Sequence, residues 1–167
     1  MGSEMCIRDS GILNIRENAT VASLKKYMTG PFVSKKKMKV TTDKYINSLK
    51  IKTPSQETKI SSLSGGNQQK VCIAEALTLE PECLFISEPT RGIDIGAKTL
   101  ILDYLKKLNR EQGMTIVVTS SELKELRSIC DRIVIIANGK IMGVLAPNAS
   151  DAEYGLMMSG IQPAQKA

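Results

Sequence analysis

The chain contains no histidine and no tryptophan, and aromatic residues make up only 4% of its 167 positions. Any mechanism that needs an imidazole is therefore excluded, as are the mixed His–Cys zinc sets. The four cysteines, Cys6, Cys72, Cys83 and Cys130, show no C-x-x-C spacing. No metal site and no disulfide framework is indicated, and ordinary buried thiols in a reducing compartment are expected. No apolar run approaches the roughly 18 residues that span a bilayer, and no basic start leads into the long apolar core of a signal peptide. With so few aromatics and no base-stacking motif, nucleic acid is not an expected partner. What is present, 42% apolar residues, suffices for a modest single-domain core.

Charge is unevenly spread within the net +6: residues 1–62 hold 12 Lys and Arg against 5 Asp and Glu, whereas residues 63–167 hold 11 against 12. The densest part is Lys35, Lys36, Lys37, Lys39 and Lys44, on a helix whose apolar face is Met38, Tyr45, Ile46 and Leu49. A solvated helix face accounts for it without any partner.

Residues 63–70 read LSGGNQQK. After Ser64, Gly65 and Gly66, the residues Val71, Ala74 and Leu77 recur at helical spacing, which puts the glycines at a helix start. Free backbone N–H groups there, the positive end of the helix dipole and the Ser64 hydroxyl together suit an anion, and the missing side chains let a phosphate come close. A plain Ser/Gly turn capping a helix is the simpler alternative. Further on, Glu82 to Ile86 reads as a short buried strand ending in Ser87, Glu88 and Pro89. This delivers the Glu88 carboxylate to the C-terminal end of a strand, where open α/β sheets bind ligands. A solvated strand-end glutamate is the alternative.

LSGGNQQKV, EPTRGIDIGAK, TIVVTSSELKEL and CDRIVIIANGKIMG occur in that order. From about Gly11 to Gly160 the chain resembles the ATP-binding subunits of ABC transporters, and most closely the second nucleotide-binding half of the ATPase of ribose-, galactose- and xylose-type sugar importers. The resemblance implies that Leu63, Ser64, Gly65, Gly66, Asn67 and Gln68 form the signature, which contacts the γ-phosphate of an ATP held by a partner's P-loop. It implies that Glu88 is the catalytic carboxylate that orients the attacking water, and that Gly92, Ile93 and Asp94 form the D-loop. ATP and Mg²⁺ are the implied cofactors of the assembled complex. The implied partners are a P-loop-bearing first ATPase half, membrane permease subunits and, indirectly, a periplasmic or surface sugar-binding protein. The implied location is the cytoplasmic face of the membrane, as a peripheral subunit, where a basic helix face would suit anionic lipid.

The departures matter too. Ser87 stands where the Walker B aspartate is expected, and a hydroxyl is a poorer partner for Mg²⁺ than a carboxylate. Ser121 stands at the position of the switch histidine. No G-x-x-x-x-G-K-[ST] string occurs in the sequence. The expected fold is therefore α/β, an incomplete P-loop NTPase domain of the ABC ATPase kind, with a mostly parallel sheet, helices, and a helical subdomain carrying the signature. Residues 1–10 are expected to be a non-native or disordered leader, with a genuine extension as the alternative. Residues 11–80 are read as the helical subdomain, 81–160 as the C-terminal part of the ATPase core, and 161–167 as a frayed tail. Strands are expected at 82–87, 114–119, 132–137 and 140–145, and helices at 96–111, 121–129 and 150–159. Asn138 and Gly139 are expected to form a hairpin turn. In the helix at 96–111, Leu100, Ile101, Tyr104, Leu105 and Leu108 are expected on the inner face.

Overall fold

The computed structural model describes residues 11–161, so the expected leader and most of the expected tail lie outside the described residues. Two compact units make up the chain, one ending at Val118 and the other beginning at Thr119.

The first unit opens with helix α1 (Ile15–Thr20), started by a reciprocal cap in which Asn14 Oδ1 accepts from Glu17 N at 2.9 Å and Glu17 Oε2 accepts from Asn14 N at 3.0 Å. A 3₁₀ stretch at Val21–Tyr27 leads into a short antiparallel hairpin, β1 (Met28–Thr29) and β2 (Phe32–Val33). The hairpin is closed by Ser34 N donating to Tyr27 O at 2.8 Å. Ser34 then caps helix α2 (Lys35–Ser48), whose Met38, Thr42 and Tyr45 are buried while Lys35, Lys36, Lys37, Lys39 and Val40 are exposed. Helix α3 (Gly65–Thr78) follows, then strand β3 (Cys83–Ser87), helix α4 (Ile95–Gln112) and strand β4 (Thr115–Thr119), with β4 hydrogen-bonded beside β3.

One core holds these elements together. Ile15 and Ala19 from α1, Tyr45 from α2, Val71, Ala74 and Leu77 from α3, Leu84 from β3, and Ile101, Leu105 and Leu108 from α4 meet in it. Helix α4 ends at Gly113, whose φ of 69° is the left-handed conformation that glycine adopts without strain. Its inner face differs from the expected one: Leu102 is buried, and Leu100 and Tyr104 are only partly so. Strand β3 also departs from expectation. Leu84 is buried, but Cys83 and Phe85 are exposed, Phe85 at 75%. An apolar run is consistent with burial on both faces, but strand alternation turns Cys83 and Phe85 to a side that nothing in this unit covers. The expectation of buried thiols fails at Cys83 for that reason, while Cys72 on α3 and Cys130 are partly buried and Cys6 lies outside the described residues.

Tyr45 ties α2 to the end of α3 by donating its hydroxyl to Leu77 O at 2.9 Å. Burial, with Tyr104 and Tyr27 nearby, pushes its phenol from 10.0 up to about 12. The fold thus keeps this proton after the unfolded chain has lost it. The associated stability is complete below about pH 10 and declines as the pH rises towards 12. In an absorbance titration the folded chain should show a tyrosinate step near pH 12 that is missing in Tyr45→Phe.

The second unit contains helix α5 (Leu123–Ile129), the antiparallel pair β5 (Ile133–Ala137) and β6 (Lys140–Leu145), and helix α6 (Asp151–Met158). Asn138 and Gly139 form the turn as expected, both with positive φ, 50° and 72°. Ile133 and Ile135 pack on Tyr154 and Met157 of α6. Arg127 lies over the Tyr154 ring, 4.5 Å from its centre, and pairs with Asp151 at 2.7 Å. The α/β class expected from the sequence is what forms, but not the mostly parallel sheet: among the described residues the sheets are two-stranded, and β1–β2 and β5–β6 are antiparallel because two-residue turns join them.

Candidate functional site

Ser64 stands at the entrance of α3 with extended backbone, φ −62° and ψ 153°, and its side chain makes no bond to the helix's own N–H groups. Its carbonyl takes the N–H groups of Asn67 and Gln68, each at 2.9 Å. The Gln68 side chain donates to Leu63 O at 2.9 Å, fixing the residue before the serine. At the glycines, size decides the geometry. A Cβ on Gly66 would lie 3.1 Å from Ala97 Cβ and 3.6 Å from Ile93 Cβ, whereas one on Gly65 would come no closer than 3.9 Å to Gly92 O. Gly66 thus lets the start of α3 touch the segment ahead of α4, and Gly65 leaves its own side open. Leu63–Gln68 and Gly92–Asp94, read from the sequence as separate motifs, are brought together.

That second segment is shaped by its own chemistry. Gly92 has φ +73°, and Asp94 caps α4 by accepting the Ala97 N–H at 2.9 Å. This hydrogen bond holds the exposed Asp94 carboxyl below the usual carboxylate range. Upstream, Ser87 ends β3 on the surface and Glu88 is half-buried, with a φ of 47°. The Glu88 carbonyl accepts from Arg91 N at 3.2 Å, and Pro89 and Thr90 are buried, so the chain bends sharply between the strand and Gly92–Asp94. Ser121 belongs to the second unit, exposed at the approach to α5, where the neighbouring Ser120 hydroxyl donates to Glu125 Oε2 at 3.1 Å.

Two residues not singled out in the sequence, Lys70 and Lys52, take part. Lys70, on α3, is 4% exposed and donates to Lys50 O at 3.1 Å. Burial lowers its pKa, with Asp94 acting in the opposite direction. Asn67 holds the backbone of Lys52, its Oδ1 accepting that N–H at 3.0 Å. Helical periodicity marks Lys70 as part of a buried face only if a lysine is allowed there, and nothing local to Asn67 points to residue 52.

The donors present suit a phosphate group: small residues, a helix N-terminus and an uncapped serine hydroxyl. They do not suit a magnesium ion held by this chain. Ser87 offers a hydroxyl, and among the described residues no three His, Cys, Asp or Glu side chains converge on a point. Among those residues, too, no helix is long and apolar enough to cross a membrane.

The model of the ABC transporter family matches residues 5–91. The chain belongs to the ABC transporter family. Its ABC transporter relatives include the galactose/methyl galactoside import ATP-binding protein MglA of Haemophilus influenzae, 43% identical over 157 residues, which are 91% of this chain and 31% of that protein. The protein of the same name from Vibrio vulnificus is 47% identical over 136 residues, 81% of this chain and 27% of its own length. The chain therefore spans about a third or less of these relatives. Among solved structures, a dimeric ATP-binding cassette in a post-hydrolysis state, bound to ADP and Pi, is 25% identical with a TM-score of 0.70, over 84% of this chain and 59% of that one. A nucleotide-free ATP-binding cassette from an ABC transporter shares the fold, with a TM-score of 0.71 over 91% of this chain and 61% of that one. The fold is that of an ABC ATPase.

Proposed function

We propose that the chain is the C-terminal part of a second nucleotide-binding domain in a carbohydrate importer, and that it completes an ATP site on a P-loop-bearing partner. The observation that carries this reading is the start of α3. There Ser64 is uncapped, Gly65 is open, and Gly66 is packed against Ile93 and Ala97. ATP, when bound to the partner, supplies the phosphoanhydride that is broken. This chain's part is to present the Ser64 hydroxyl and the glycine N–H groups to its terminal phosphate, with the helix dipole behind them. The segment Gly92–Asp94, touching the signature from behind, is the means by which the two halves sense each other.

Glu88 belongs to the opposite site. There it acts as the carboxylate that orients water, with Ser87 at the metal position, and the weak donor at Ser87 makes this the impaired site of the pair. The relatives named as galactose/methyl galactoside import proteins support a sugar as cargo. Permease subunits, a sugar-binding protein and the cytoplasmic face of the membrane complete the reading. The lysine-rich outer face of α2 and the hairpin before it, with Phe32 75% exposed, form the surface offered to such partners.

Mixing the chain with a P-loop-bearing half and following phosphate release tests the proposal, and a rate equal to that of the half alone would overturn it. On its own, the chain should show no saturable ATP binding by calorimetry at micromolar nucleotide. A tight, Mg²⁺-dependent isotherm would mean that it carries a phosphate cradle of its own.

A further inference from the structure

Asn67 lies one helical turn beyond Ser64, and its side-chain amide makes a bond at each end. One end faces the backbone N of Lys52 at 3.0 Å and the other faces Ser64 Oγ at 3.0 Å. Which end is which follows from chemistry alone. A backbone N–H can only donate, so the atom facing Lys52 is the carbonyl oxygen Oδ1 and the atom facing Ser64 is the amide Nδ2. An amide nitrogen can only donate in turn, so Ser64 Oγ is the acceptor of that bond. The serine has one proton to give and it is not spent on Asn67. Capping would engage the serine's lone pairs and not its proton, and the Ser64 side chain accepts none of the backbone N–H groups in the first turn of α3.

We infer that Asn67 is a positioning residue that sets the polarity of Ser64, holding the hydroxyl by its lone pair so that its proton is directed to an incoming phosphate oxygen. A serine hydroxyl rotates freely and can accept as readily as it donates. An anion needs it as a donor. The amide removes that ambiguity before the anion arrives, which is the sense in which a hydrogen-bond donor is preorganised.

The anchor at the far end is itself braced. Lys70 reaches back from the next turns of α3 to Lys50 O at 3.1 Å, and Lys50 adopts a left-handed conformation, φ 50°, two residues ahead of Lys52. The stretch 50–52 is thus fastened to α3 twice, once as acceptor through Lys50 O and once as donor through Lys52 N–H. Asn67 passes that fixed donor direction on to Ser64. Aspartate, of the same shape, would keep the Lys52 bond and reverse the other, because a carboxylate accepts the serine proton.

This inference rests on the proposed role of the signature, and the two can fail separately. The assay is phosphate release by the chain mixed with a P-loop-bearing half, for the unchanged chain, Asn67→Ala, Ser64→Ala and the double variant. Ser64→Ala should lower the rate about 100-fold or more, as loss of one preorganised donor does. Asn67→Ala should lower it about 10-fold, through a misdirected donor. The double variant should be no slower than Ser64→Ala. If Ser64→Ala is silent, the role of the signature fails. If Ser64→Ala is slow and Asn67→Ala is silent, or if the two losses multiply in the double variant, the positioning role is overturned while the signature's role stands. A readout independent of turnover is amide hydrogen exchange at Lys52 in the chain alone. It should quicken about tenfold in Asn67→Ala with the melting temperature nearly unchanged, and an unaltered rate would overturn the geometry.

Discussion

Ser64→Arg is expected to abolish the ATPase activity that the chain is proposed to restore to a P-loop-bearing half. The substitution replaces a small donor at the mouth of α3 with a long cation, at a point where Gly65 leaves the surface open and the serine makes no capping bond. Two losses combine. The hydroxyl contact proposed to the terminal phosphate would disappear, which alone is worth about 100-fold or more in rate. The guanidinium also occupies the space through which the partner must approach. Because position 64 is exposed and its side chain caps nothing, the variant should fold as the parent does. Phosphate release measured beside a thermal melt separates the two effects. A variant that melts normally and still restores full activity would remove Ser64 from the site.

The largest effect on stability is expected at Ile101. Its side chain is 0% exposed within the core that joins α1, α3, β3 and α4. Truncation to alanine leaves a cavity that close-packed neighbours fill only in part, at a cost of about 3 to 4 kcal/mol. For a unit of this size the melting temperature should fall by roughly 10 to 20 °C. Val40→Ala is the matched control, being on the outer face of α2 and 66% exposed. It should change stability by no more than about 0.5 kcal/mol. Equal melts for the two variants would show that α4 is not held by that core.

The parts legible in the sequence are those specified by short-range signals. Helices α3 and α4 follow from apolar spacing, and Asn138–Gly139 announces its turn because both residues tolerate positive φ. The hairpin at Met28–Val33 gave no such signal, since strands of two residues are too short for alternation to register. Exposure of Phe85 was illegible for a different reason. An apolar run fixes that a strand forms, but its burial depends on what the rest of the fold lays over each face. At the site, composition pointed to Ser64, Gly65 and Gly66, whereas the approach of Gly66 to Ala97, and of Asn67 to Lys52, joins residues that are distant in sequence. Contacts of that kind are products of packing. No local pattern encodes them.

The backbone at Glu88 carries a consequence for how this molecule could drift. A φ of 47° suits glycine or asparagine, and a larger L-residue adopts it at a cost of about 1 to 2 kcal/mol. Thermodynamics therefore pulls this position away from glutamate. A population of such chains released from any need for the carboxylate would be expected to exchange it for a residue that relaxes the bend and to become hardier by doing so. The same relief is open at Lys50 and Glu80, whose φ values of 50° and 54° carry the same strain.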